Sequence, residues 1–514
     1  MEKKYLCGID IGTTGVKVIL FDMNGSEKGS AYREYGCEYP RSGWVQQDGE
    51  LLWQETCTAI QAAIEAARAN PKEIASVGLS TQRCTLAPVD KDGKSIFTSI
   101  SWQDRRSTKQ CDDIRNLIGD ERYYQITGLP IDTTWSVSKI MWLRDNEPEV
   151  FKKAHKFVMD QERILFRLGA DDFYEDISNG SLQGLMDIET FKWDDELIEK
   201  LGIPKEKLPK LVESAQQVGT VSAEAAALSG LAEGTPIVTG GGDQQCAGVG
   251  SGVTRPNLVE VTLGTAGVTL AYLDKPQRDS KRRLPCSAHA VPGKWETEGL
   301  QMTAGSAYKW YRDNIADMER DAAQSLGIDP YDIINMQIEN IPPGSNGVLF
   351  LPFFSGAGAP HWDPHARGTF LGLSLSHGKH EMARSILEGV TFETKEILDA
   401  MEGLGIQIEE VIITGGATKS DLWNQIQADI YGKPCKKLLN EQATCLGAAI
   451  LGAVGAKVIG SLDEAVAKMV HFSKVYEPVP KNVEVYKGVY QVYKKAYKAL
   501  KDANVYNELI EFAN

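Results

Sequence analysis

The chain has 514 residues, 42% of them hydrophobic and 24% charged, the proportions of a globular protein with length for two to four domains and no bias toward fibre or disorder. Its 55 basic residues against 70 acidic ones give a net charge of −15, which argues against a nucleic-acid backbone or an anionic membrane as the main partner. Nine scattered cysteines without a C-x-x-C pair indicate neither a zinc cage nor a disulfide framework. No apolar run approaches the roughly 18 residues of a membrane span, and the opening MEKK leads into structure without a signal-peptide core, so a cytoplasmic protein is expected.

The first segment, YLCGIDIGTTGVKVILFDMNG, has two β-branched apolar stretches around GTTG and ends at Asn24-Gly25, the pattern of a β-hairpin. In ELLWQETCTAIQAAIEAARAN the residues Leu52, Thr56, Ala59, Ile60, Ala63 and Ile64 share one helical face, and Asn70-Pro71 closes the helix. IASVGLS follows as a short buried strand, and the alternation implies an α/β layer architecture. Past the middle, TPIVTGGGDQQ leads into NLVEVTLGTAGVTLAYL, a second pair of β-rich runs around a small-residue turn. The two stretches read as equivalent elements of two related halves, divided near residues 245–255 into domains 1–248 and 249–514. GVLFLPFF, VIITGGA and the helix SDLWNQIQADIYG continue the alternation. The final segment places Val485, Val489, Tyr490, Val492, Tyr493 and Tyr497 at helical spacing, which predicts a docked surface helix.

The glycine turns point to chemistry. DIGTTG matches neither the dinucleotide fingerprint nor the P-loop, which excludes a nicotinamide-dependent dehydrogenase. Its glycines lie between two strands, where bare backbone N–H groups approach an anion closely, with hydroxyls on Thr13 and Thr14 and a charge on Lys17 at hand. The pattern recurs as GGGD at 240–243, LGTAG at 263–267 and TGGAT at 414–418, each after a β-branched strand. Such recurrence favours phosphate binding over plain turns. Asp10 ends a strand beside one turn and Asp243 follows another. Two carboxylates beside phosphate cradles suit Mg²⁺-dependent phosphoryl transfer, one holding the hydrated metal and the other accepting a proton from the attacking hydroxyl. The remaining signals read as structural. His361, His365, His377 and His380 are interrupted by Pro364 and Gly378 and belong to loops, Lys281-Arg282-Arg283 is a solvated stretch, and Cys84 and Cys246 are packing residues.

These strings, in this order, resemble the FGGY carbohydrate kinases, the family of glycerol kinase and xylulokinase within the actin, hexokinase and Hsp70 superfamily. SWQDRR at 101–106, TGLPIDTTWSVSKIMWL at 127–143 and DPHARGTFLGLSLSHG at 363–378 extend the match over most of the chain. The resemblance implies two RNase H-like domains with sugar and ATP meeting in the cleft between them, a Mg²⁺ cofactor and a homodimer. It implies Asp243 as the catalytic base and a metal residue, Asp10 as the holder of Mg²⁺, and Thr13, Thr14 and Lys17 at the phosphate end. Gly264 and Thr265 resemble the second phosphate turn. Gly415, Gly416 and Ser420 resemble the nucleotide-side loop, with Gly305 and Lys309 beside it, although Lys309 stands where glycerol kinases have glutamine. On the sugar side Arg83, Trp102, Asp104 and Gln244 match family positions, whereas Cys84 replaces the glutamate that follows the arginine in glycerol kinases. The implied reaction is ATP-dependent phosphorylation of a small sugar, first a ketopentose such as xylulose, then glycerol or another polyol. A chaperone-like ATPase of the same fold would need a peptide-binding domain, for which the tail beyond about residue 480 is too short.

Overall fold

The β-branched residues flanking the first glycine turn pair as their alternation predicts. In the computed structural model, which describes residues 2–512, β1 (Tyr5–Ile11) runs antiparallel to β2 (Gly15–Asp22), and β2 to β3 (Glu27–Glu34). β4 (Ile74–Thr81) joins β1 in parallel, β5 (Gln217–Thr220) lies at the far edge, and β6 (Pro236–Gly242) is parallel to β4. The sheet order is β5-β6-β4-β1-β2-β3.

Successive side chains of a strand point to opposite faces, and the two faces of β1 are used differently. Cys7, Ile9 and Ile11 share a core with Leu52, Ala59, Ile60, Ala63 and Ile64 of the helix Gly49–Ala66, the face predicted from the sequence. This helix starts at Asp48, whose carboxylate accepts from the amides of Glu50 and Leu51, a cap that satisfies otherwise orphaned donors. On the other face Gly8 and Gly78 stand side by side in the register. A Cβ on Gly8 would lie 2.1 Å from the Cys445 carbonyl oxygen, and one on Gly78 would lie 1.9 Å from that of Ala448. The missing side chains let the helix Ala443–Gly455 lie directly on the backbone of β1 and β4.

That helix is one reason the two compact units are discontinuous in sequence. The first contains Met1–Arg255, Tyr272–Glu296 and Gln442–His471, and the second contains Pro256–Ala271, Thr297–Glu441 and Phe472–Asn514. The chain thus crosses the division expected at 248/249 more than once: Tyr272–Glu296 rejoins the first unit, and Gln442–His471 returns to cover the first sheet.

The second unit repeats the first. β7 (Asn257–Leu263) is antiparallel to β8 (Gly267–Leu273), with β9 (Trp295–Gln301) beyond it. β10 (Ile408–Thr414) is parallel to β7, β11 (Cys435–Leu438) is parallel to β10, and β12 (Phe472–Tyr476) closes the edge antiparallel to β11. The order β12-β11-β10-β7-β8-β9 matches that of the first sheet, and a seventh strand, Cys286–Ala288, extends the second sheet beyond β9.

The C-terminal helix Pro480–Asp502 forms where predicted and docks through the predicted Tyr490, Tyr493 and Tyr497, joined by Tyr486 in place of the valines. Tyr486, Tyr490, Tyr493 and Tyr497 are buried, while Val485 and Val492 are exposed. Three of the phenol groups donate to acidic side chains, Tyr486 to Glu388 at 2.9 Å, Tyr490 to Asp399 at 2.7 Å and Tyr497 to Asp363 at 2.9 Å. An aromatic body with a satisfied polar tip outcompetes a valine here. No helix among the described residues is long and apolar enough to cross a membrane.

Candidate functional site

The parallel strands β1, β4 and β6 end together, and their carboxyl ends carry the charged residues of the first unit. Asp10 of β1 pairs in register with Ser80 of β4, and Gly241 and Gly242 of β6 pair with Ser80 and Thr81. Asp243 is the next residue and opens the helix Asp243–Gly250. The two aspartates therefore flank Ser80, whose hydroxyl donates to Asp10 Oδ1 at 3.1 Å. Burial, with the charge of Asp243 adding to it, pushes the Asp10 carboxyl up to about 7, against a pull downward from the Ser80 hydroxyl and the Lys17 ammonium. Lys17 lies opposite Asp10 across the hairpin and donates to Gln442 Oε1 at 2.7 Å.

Arg83, two residues beyond β4, reaches Asp243 with Nε at 3.0 Å from Oδ1. The same oxygen accepts from the Gln244 amide at 2.8 Å. A carboxylate held this way keeps one orientation at a partly exposed position, its side chain 32% accessible. Gly242 makes the approach possible, since a Cβ there would meet Arg83 Cδ at 2.5 Å.

The glycine turn after β1 is tied down from three sides. Trp102 Nε1 donates to the Thr13 hydroxyl at 3.0 Å, Gln47 donates to the Thr13 carbonyl at 2.6 Å, and the Tyr35 hydroxyl donates to the Gly12 carbonyl. Thr14 lies within 3.3 Å of the Tyr32 hydroxyl. Gln47 in turn accepts from Gln82, and Gln82 donates to Asp160, so a buried amide relay joins the turn to the residue preceding Arg83.

Asp104 corrects the sequence reading. It is fully buried, with Oδ2 accepting from the Val45 amide at 2.6 Å and from Arg106 at 2.8 Å. Oδ1 accepts from the Arg106 amide and Nε at 2.8 and 2.9 Å, and the Arg106 guanidinium lies over Trp44 and Trp142. Both oxygens are committed to holding the loop, which leaves this carboxylate a structural role and not that of a hydroxyl acceptor. Cys84 is buried at φ 64° with its thiol 3.4 Å from the Leu182 carbonyl, and Cys246 is also buried; both pack as expected.

In the second unit the corresponding strand ends gather backbone rather than charge. The Gly305 amide donates to the Gly264 carbonyl at 2.7 Å, and the Thr265 carbonyl accepts from the Ala304 amide at 3.0 Å and the Ser306 hydroxyl at 2.7 Å. Gly415 follows β10 at φ 81°, a conformation that favours glycine, and a Cβ on it would lie 2.6 Å from the Leu263 carbonyl oxygen. Gly264, Thr265, Gly305 and Gly415 thus meet at one end of the sheet, with Gly416 adjacent. Ser420 caps the helix Asp421–Tyr431, accepting from the Trp423 amide at 3.2 Å, and Lys309 is exposed on the helix Gly305–Asn314. Thr262 and Thr414, neighbours on β7 and β10, both donate to Glu260 Oε1, at 3.0 and 2.9 Å.

Sequence reasoning missed Ser80, Gln82, Gln245 and Glu260. Each has a partner far away in the chain, and only GGGDQQ and the Thr81-Gln82-Arg83 stretch, which resembles glycerol kinases, touched two of them.

Two α/β units of like sheet order, with paired carboxylates at the strand ends of one and a small-residue backbone turn in the other, place the protein in the RNase H-like, two-domain α/β class. Comparison with known proteins gives the family. The models of the N-terminal and C-terminal domains of the FGGY family of carbohydrate kinases match residues 5–250 and 259–456, and the chain belongs to that family. It is 30% identical over 501 residues to a xylulose kinase of Bacillus subtilis, covering 98% of each chain. It is 33% identical over 502 residues to a glycerol kinase of Thermococcus gammatolerans, covering 96% of this chain and 98% of that one. The solved structure of a gluconate kinase from Lactobacillus acidophilus superposes with a TM-score of 0.89 at 27% identity, over 98% of this chain and 99% of that one. The protein is therefore an ATP-dependent sugar kinase.

Proposed function

We propose that the protein transfers the γ-phosphoryl group of ATP to a hydroxyl of a ketopentose such as xylulose. The observation that carries the reading is Arg83 held at 3.0 Å from Asp243 beside Asp10. In this reading Asp243 accepts the proton of the attacking hydroxyl, and Arg83 and Gln244 donate to neighbouring oxygens of the acceptor. Trp102, fixed to the Thr13 turn, offers an apolar face to its C–H side. Cys84 offers no carboxylate to the acceptor, and Asp104 is spent on Arg106, so recognition falls on few polar groups. Thr13, Thr14 and Lys17 in the first unit, with Gly264, Thr265, Gly305, Lys309, Gly415, Gly416 and Ser420 in the second, serve ATP.

The donor chemistry at Asp10 and Asp243 suits Mg²⁺. Burial first, and the charge of the second hard oxygen ligand after it, raise Asp10, and no cluster of three or more metal-binding side chains stands among the described residues. This cation takes one or two carboxylates and keeps water and substrate phosphates as its other ligands. When bound it neutralises charge on the phosphates, and Asp10 is the residue that would hold it. A cytoplasmic homodimer completes the proposal.

The test is ADP release with Mg²⁺-ATP and a panel of xylulose, ribulose, erythrulose, gluconate and glycerol. The expected result is the highest kcat/KM with a five-carbon ketose. Preference for glycerol would transfer the reading to a polyol kinase, which the Thr81-Gln82-Arg83 stretch also resembles, and preference for gluconate would overturn both.

A further inference from the structure

We infer that Gln245 and Glu296 are positioning residues that fix the Arg83 side chain, and through it Asp243, in the geometry met by the acceptor. The inference rests on the assignment of Arg83 and Asp243 to the acceptor site. Gln245 and Glu296 are both fully buried and both belong to the first unit. The Gln245 amide nitrogen donates to Glu296 Oε1 at 2.6 Å, and its oxygen lies 3.4 Å from Arg83 NH1.

The chemistry of the two partners allows only this orientation. A carboxylate accepts and a guanidinium donates, so an amide between them must present nitrogen to Glu296 and oxygen to Arg83. The Ser287 hydroxyl donates to the same Glu296 oxygen at 3.0 Å and fixes the carboxylate in turn. The result is a run of contacts, Ser287 to Glu296 to Gln245 to Arg83 to Asp243, in which a buried anion sets the direction of an amide and the amide sets the fork of an arginine. Gly242 is cut to fit it, because a Cβ there would come within 2.4 Å of Gln245 Oε1 as well as 2.5 Å of Arg83 Cδ. Gln244, the glutamine singled out from the sequence, is only half-buried. Of the pair after Asp243, the second is the one wired to the arginine.

The test is steady-state kinetics on the full-length enzyme, with the best acceptor among the five compounds. Gln245→Ala is expected to raise the acceptor KM about tenfold, the effect of one lost hydrogen bond to a charged group, with the KM for ATP unchanged within about twofold. Glu296→Gln, which retains an accepting oxygen, should give a smaller rise, and Glu296→Ala should match Gln245→Ala. In an Arg83→Ala background, Gln245→Ala should add less than about twofold, because both act through one side chain. Thermal melting checks that each variant folds. Where Glu296→Ala fails to fold, Glu296→Gln and the Gln245 pair decide. Losses that multiply in the double variant, or a rise shared equally by acceptor and ATP, would overturn the inference. If Arg83→Ala itself leaves the acceptor KM unchanged, the assignment of the acceptor site fails; if Arg83→Ala raises it while Gln245→Ala is silent, the inference alone fails.

Discussion

Asp10 and Thr262 occupy the same position in two strands that are paired alike. Asp10 of β1 lies opposite Ser80 of the parallel strand β4, and Thr262 of β7 lies opposite Thr414 of the parallel strand β10. Both ladders carry an irregularity after their first residue, at Tyr5/Leu6 and at Asn257/Leu258. Only the turns differ, Gly12 to Gly15 joining the first hairpin and the shorter Gly264 to Ala266 the second. The same backbone thus carries opposite electrostatics. At the first strand end a buried carboxylate, with another across a serine, is pushed toward neutrality by its burial and by that neighbour's charge. At the second, a single buried carboxylate, Glu260, is satisfied by two hydroxyls beneath an uncharged turn. A duplicated scaffold provides strand ends and turns, and single side chains decide which end carries paired carboxylates and which only a small-residue backbone turn above one satisfied carboxylate.

The contrast is broken most severely at Asp243. Asp243→Asn should lower kcat by roughly 10²–10⁴-fold, the usual effect of losing a general base. ATP affinity, followed by fluorescent-nucleotide titration, should hold. Near-normal turnover at saturating acceptor would remove Asp243 from the role.

Next comes the packing difference. Gly8 and Glu260 also share a position, and only the glycine has a helix backbone 2.1 Å from where its Cβ would be. Gly8→Ala should cost about 3 kcal/mol, at the upper end of overpacking effects, in urea or thermal unfolding. A variant as stable as the parent would show that the helix Ala443–Gly455 does not need the flat surface.

The titration of Asp10 sharpens the electrostatic side. Its folded pKa, about 7, lies above the ordinary 3.8, so its contribution to stability is complete below about pH 3.8 and is lost as pH rises toward 7. In metal-free protein Asp10→Asn should therefore raise Tm relative to the parent at pH 8 and not at pH 4. Each tenfold difference in proton affinity between the folded and unfolded chain is worth about 1.4 kcal/mol. Adding Mg²⁺ at pH 8 should stabilise the parent more than the variant, and equal stabilisation would dissociate Asp10 from the metal.

The smallest effect belongs to the second unit. Glu260→Gln leaves Thr262 and Thr414 with a neutral acceptor and should reduce stability by about 1–2 kcal/mol. The KM for ATP should rise a few-fold with that for the acceptor unchanged. A change confined to the acceptor would contradict the division of labour between the two strand ends.

The sequence by itself determined both hairpins, the core face of the helix Gly49–Ala66 and the recurrent glycine turns, because periodicity and turn chemistry are local properties in which each residue reports on neighbours a few positions away. The carboxylates at Asp10 and Asp243 were legible for the same reason, each standing directly at the end of its strand. Periodicity could not choose between valine and tyrosine on the C-terminal helix. The choice fell to the acidic residues Glu388, Asp399 and Asp363, which accept from the buried phenols and lie roughly a hundred positions away along the chain. Nor could the motif around Asp104 reveal that Arg106 and the Val45 amide would consume both of its oxygens, or that Glu296 would aim Gln245 at Arg83. A hydrogen bond's worth depends on who else competes for the same lone pair and whether water is excluded, and those two facts exist only after distant segments have packed together.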